Sequence, residues 1–96
     1  MRYYEFIDAE YYALISVEQE SNNVIEAMRI YIELVGGYDN IHQMKEENIF
    51  PKEISEKEAR YKYITALGNG NACIRQLKEE FYRNKSDVLL IDYNLT

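Results

Sequence analysis

The hydrophobic pattern changes period along the chain, and each change marks an element. Tyr3-Tyr4-Glu5-Phe6-Ile7 and Tyr11-Tyr12-Ala13-Leu14-Ile15-Ser16-Val17 are rich in aromatic and β-branched residues, and the short polar Asp8-Ala9-Glu10 separates them. This predicts a β-hairpin. In its second strand Tyr11, Ala13, Ile15 and Val17 share one face while Tyr12, Leu14 and Ser16 share the other, because strand side chains alternate with period two. The turn has neither Gly nor Asn, so its type is open and the loop can be longer than three residues.

A helical period follows. Ser21-Asn22-Asn23 supplies N-cap candidates, Val24, Ala27, Met28, Tyr31 and Val35 form one stripe, and Gly36-Gly37 ends the helix. Asp39 is a cap candidate for a shorter helix through Lys45 to Glu47, with Ile41 and Met44 on one side. Asn48-Ile49-Phe50-Pro51 then predicts a loop or a short extended crossing, since proline restricts the residue before it.

Ser55-Glu56-Lys57-Glu58 matches a capping box, with Ile54 as its staple residue. The helix it opens runs to about Leu67 with Ala59, Tyr63, Ala66 and Leu67 as apolar positions, and Gly68-Asn69-Gly70-Asn71 closes it. Ile74, Leu77 and Phe81 carry a last helix to about Arg83, and Asn84-Lys85-Ser86 breaks it. Val88-Leu89-Leu90-Ile91 is a continuous apolar run, read as a central strand beside the hairpin. The expectation is a single α+β domain over residues 1–96, in the order ββαα(α)αβ. A small antiparallel sheet of hairpin and C-terminal strand would carry three to four helices on one face.

Composition narrows the function classes. The chain has 96 residues, 47% of them hydrophobic, with 17 Asp and Glu against 11 Lys and Arg. No apolar run approaches the ~18 residues of a membrane span, and the start carries Glu5 where a signal peptide would be apolar. A cytoplasmic protein with no membrane role is expected. The lone Cys73 allows no internal disulfide and no cysteine metal cluster. Residues 1–50 hold ten acids and three bases, and residues 51–96 hold seven acids and eight bases. That balance disfavours direct nucleic-acid binding, which rests on Lys and Arg displacing counterions, and favours a basic partner.

The usual catalytic sets are missing. His42, the single histidine, sits between Ile41 and Gln43 in the short helix, which reads as a surface position. Cys73 lies beside an apolar stripe, where a thiol packs as a small hydrophobe. A Cys73/His42 nucleophile pair would have to be assembled by the fold. Gly68-Asn69-Gly70-Asn71 follows a helix and leads into Ala72-Cys73, unlike a phosphate loop, which follows a strand. The carboxylate pairs Glu46-Glu47, Glu56 with Glu58, and Glu79-Glu80 point apart on helices, so no metal, cofactor or catalytic residue is assigned. Arg60, Lys62, Arg75 and Lys78 form the alternative reading, a pocket for a nucleotide-type small molecule, against intrahelical pairing with the neighbouring glutamates.

Tyrosine is over-represented at ten residues, with three Phe and no Trp. Adjacent strand residues face opposite ways, so one ring of Tyr3-Tyr4 and one of Tyr11-Tyr12 should leave the core, as suits a protein interface. Tyr4, Glu5, Asp8, Glu10, Tyr12, Glu18 and Glu20 are the expected partner-binding residues. In size, charge and this tyrosine-rich acidic hairpin, the chain resembles small phage and mobile-element proteins of the anti-CRISPR and anti-defence type. The resemblance implies an inhibitor of a basic, nucleic-acid-binding host effector such as a CRISPR-Cas nuclease complex. A free strand edge on the hairpin would also leave a homodimer open.

Overall fold

The computed structural model describes residues 1–18, 23–67, 74–83 and 87–92. Four strands form one antiparallel sheet: β1 (Arg2–Phe6), β2 (Tyr12–Val17), β3 (Lys52–Ile54) and β4 (Asp87–Asp92), in the order β3-β1-β2-β4. The helices are α1 (Asn23–Ile30), which runs into a π-helical turn at Tyr31–Val35, α2 (Ile41–Glu46), α3 (Glu56–Leu67) and α4 (Ile74–Arg83). The fold is α+β, as the hydrophobic pattern predicts.

The layering differs from expectation: helices cover both faces of the sheet. On one face Tyr4, Phe6, Ala13, Ile15 and Val17 pack with Ala27, Met28, Ile30, Tyr31, Val35 and Met44. On the other, Tyr3, Leu14, Ile54 and Leu89 pack with Ala59, Tyr63, Leu77 and Phe81. Both hairpin strands are therefore buried on both sides. Their free edges are also gone, since β3 pairs with β1 and β4 with β2.

Two strands correct the sequence reading. The crossing after Pro51 becomes β3, whose Ile54 faces Tyr3 in the ladder. The apolar run 88–91 lies at an edge of the sheet, not at its centre. Such a run reports two covered faces, and here even the edge strand is covered on both. Its pairing with β2 slips between Leu14 and Ile15, so that Leu90 faces Leu14 while Val88 faces Ile15. The irregularity lets Val88 and Ile91 join the first cluster while Leu89 and Leu90 join the second.

Local signals mostly hold. The Ser55 hydroxyl accepts from the Glu58 N–H at 3.1 Å, and Ile54 and Ala59 share a cluster as a staple pair would. Gly36 and Gly37 both take φ of +94°, as the end of the first helix requires. Asn40 rather than Asp39 caps α2, its Oδ1 accepting from the Gln43 N–H at 2.9 Å. Val24 and Ala66 are exposed, so the buried stripes of α1 and α3 are narrower than the spacing predicts. The Ser21-Asn22 cap, the Gly68–Asn71 loop, Cys73 and the Asn84–Ser86 break lie outside the described residues.

The hairpin connection runs over residues 7–11 and is secured from outside. The Tyr31 hydroxyl donates to the Tyr11 carbonyl at 2.6 Å and accepts from the Tyr11 N–H at 2.9 Å. The Tyr38 hydroxyl accepts from the Glu10 N–H at 2.9 Å. The phenol heads thus take the place that a turn residue's own chemistry would fill. Tyr31→Phe keeps the ring against Phe6, whose centroid lies 4.6 Å away, but removes the hydroxyl's bonds to the Tyr11 N–H and carbonyl. Urea titration should show a loss of about 1–3 kcal/mol; unchanged stability would refute the role of the hydroxyl.

Candidate functional site

On the α3 side of the hairpin one acid interrupts the apolar face. Glu5 is 4% exposed, and its Oε2 accepts from the Tyr12 hydroxyl at 2.6 Å and from Lys62 Nζ, reaching across from α3. Burial pushes the Glu5 carboxyl up, but the bonds from Lys62 and Tyr12 and the charges of Lys62 and Lys52 outweigh it, holding the group below its ordinary value of 4.5. Tyr12 moves the other way: burial and then the Glu5 carboxylate push its phenol far up. This triad ties β1, β2 and α3 together.

The end of the hairpin is different in character. Ile7 and Phe50 are 56% and 52% exposed, and both lie just past the end of the β1–β3 ladder, whose last pair is Glu5 with Lys52. Asp8 and Glu10 are exposed beside them. The Gly36–Asp39 loop closes on this end, since a Cβ at Gly37 would stand 3.0 Å from that of Glu10. Glu10 and Glu47 both lie near Tyr38, where burial, above all, and then those two charges push its phenol up against the opposing bond to Glu10. Among the described residues the carboxylates of Asp8, Glu10, Asp39 and Glu47 make no ion pair, whereas Arg29 holds Glu26 and Glu33. Unpaired carboxylates of the first half thus gather where the hairpin connection meets the loop that carries Tyr38.

A third surface is basic. Arg75, Glu79, Tyr82 and Arg83 lie at helical spacing along α4 and line a shallow recess of about 460 Å³. Arg60 of α3 donates from Nη1 to the Tyr82 hydroxyl at 2.6 Å, and the Tyr82 ring stands edge-on to Phe81, with centroids 5.3 Å apart.

A family match spans residues 1–90. The chain belongs to the YosH C-terminal domain family. No curated protein and no solved structure matches it.

In this member of the YosH C-terminal domain family the expected interface residues separate into two groups. Tyr4 and Glu5 are buried and Tyr12 is half-buried, because the second helical layer covers the face that was expected to be open. Tyr3 is buried too, stacked on Phe81 at 5.1 Å, and Tyr11 is half-buried, so the doublets are not exposed. Asp8, Glu10 and Glu18 are exposed; Glu20 lies outside the described residues. Of the alternative basic set, Lys62 is committed to Glu5, Arg60 donates to the Tyr82 hydroxyl without an acidic partner among the described residues, and Arg75 lines the recess, while the Lys78 side chain is outside the description. His42 is at the surface, with Nε2 2.9 Å from Glu46 Oε1.

Sequence reasoning missed Ile7, Phe50 and Tyr82. A residue ending a strand and one before proline are natural places for solvent exposure, and Tyr82 stands seven residues after Arg75, at helical spacing. Among the described residues no group of three His, Cys, Asp or Glu is placed to hold a metal ion.

The Glu5 triad makes stability depend on pH. With its folded value below the unfolded one, Glu5 contributes stability above 4.5 that is lost as the pH falls through the folded value. Wild type should therefore exceed Glu5→Gln by about 1–3 kcal/mol near neutral pH. The gap should close on acidification below 4.5. A gap independent of pH in chemical denaturation would contradict the ion pair.

Proposed function

We propose that this chain is a non-enzymatic, cytoplasmic protein-binding domain that presents its hairpin tip to a basic surface on another protein. What supports the reading is that Ile7 and Phe50, past the end of the β1–β3 ladder, are exposed, as are the carboxylates of Asp8 and Glu10 in the hairpin connection and of Glu47, which with Glu10 lies near Tyr38. Exposed apolar side chains beside unpaired carboxylates suit a partner whose cations steer the encounter while its apolar groups hold the contact.

A partner with such a surface is a nucleic-acid-binding effector. Carboxylates at the tip can occupy cations that otherwise meet phosphate, so inhibition needs no chemistry. The resemblance to anti-defence inhibitors of the anti-CRISPR type leads to the same reading, as does the −6 net charge, which opposes direct binding of nucleic acid.

The test is affinity capture from host extract, followed by titration of the recovered basic protein with three forms of the chain. Asp8→Lys/Glu10→Lys should weaken association at least tenfold at low salt. Glu56→Lys/Glu79→Lys changes net charge equally but lies away from the tip, and should bind as wild type does. The bound partner should lose its nucleic-acid binding. Equal affinity for both variants, or recovery of no basic partner, would overturn the proposal.

A further inference from the structure

We propose that the outer face of α3 and α4 is a nucleotide site, in which the Tyr82 ring receives the base and Arg60, Arg75 and Arg83 receive the phosphates. It is separate from the hairpin tip and does not rest on the reading given for it.

Four observations carry this site. First, the cations are available: among the described residues no carboxylate pairs with Arg60, Arg75 or Arg83, although Glu79 follows Arg75 by one turn. Helical spacing favours such a pair, so its absence leaves both groups to an outside ligand. Second, the Tyr82 ring is 51% exposed yet fixed in orientation by Phe81 and by Arg60. Because the hydroxyl oxygen accepts from Arg60, its proton remains free to donate to a ligand oxygen.

Third, the recess has the right dimensions and chemistry. Arg75 and Arg83 are eight residues apart, about 12 Å along the helix axis. A base with its phosphate chain bridges that span, whereas a single phosphate does not. Guanidinium groups bind phosphate oxygens in a fork and stack on planar rings, and an exposed tyrosine ring is a common platform for a base. Fourth, Glu79 adds an acceptor to the same lining. It would repel phosphate and accept from an exocyclic amino group, which points to an amino-bearing base. A long nucleic acid fits the site less well, since the −6 net charge opposes a continuous run of phosphates.

Calorimetric titration of the intact chain with ATP, GTP, UTP, inorganic triphosphate and a short single-stranded oligonucleotide tests this. ATP or GTP should bind more tightly than UTP and than inorganic triphosphate. Arg75→Ala/Arg83→Ala and Tyr82→Ala, all at exposed positions, should each raise Kd at least tenfold, with circular dichroism confirming the fold. Glu79→Gln should narrow the preference over UTP, and Asp8→Lys/Glu10→Lys should bind nucleotide as wild type does. The proposal is overturned by absent binding at millimolar nucleotide, by equally tight binding of inorganic triphosphate, by indifference to Tyr82→Ala, or by tighter binding of the oligonucleotide.

Discussion

β1 and β2 lie in the middle of the sheet with a helical layer on each side, so the side chains from Tyr3 to Phe6 and from Ala13 to Val17 have to find their partners inside the protein. Rings and aliphatic groups meet that condition by packing. Glu5 meets it through Lys62 and Tyr12, an arrangement that a buried carboxylate requires if it is to stay charged. The residue that made the hairpin look like an acidic interface is thus the residue that fastens the hairpin to α3. Lys62, which from its neighbours looked like part of a ligand site, is the other half of the same contact.

The same constraint gives the tyrosines much of their meaning. A phenol fills core volume and still offers a polar end, and the polar ends are used repeatedly. Tyr31 and Tyr38 bond the backbone of the hairpin connection, Tyr12 bonds Glu5, and Tyr82 is bonded by Arg60. Phenylalanine would pack in these places but would strand the groups that the hydroxyls satisfy. Among the described residues the exposed tyrosines, Tyr61 and Tyr82, lie on the helices and not on the hairpin.

How far the sequence could be read follows from the range of each signal. The hairpin, the helix stripes around Ala27-Met28-Tyr31 and Leu77-Phe81, the Ser55 cap and the Gly36-Gly37 stop are local patterns and are found in the fold. Layering is not local. Tyr-Tyr doublets and an unbroken Val-Leu-Leu-Ile run fit one covered face or two, and only the meeting of α3 and α4 with Tyr3, Leu14 and Leu89 decides between them. The β3 strand was hidden because three residues after a proline carry little periodicity. The candidate surfaces were half legible for the same reason: Asp8, Glu10, Arg60 and Arg75 stand out by charge, whereas Ile7, Phe50 and Tyr82 acquire interest only from their exposure.

The strands of the hairpin are interior and its tip is surface. Tyrosine nitration of the folded chain, mapped by peptide mass spectrometry, measures this residue by residue. Tyr61 and Tyr82 should be modified rapidly while Tyr3, Tyr4 and Tyr31 are protected until the chain is unfolded. Early modification of Tyr3 or Tyr4 would contradict the two-sided burial, and with it the assignment of partner binding to the tip alone.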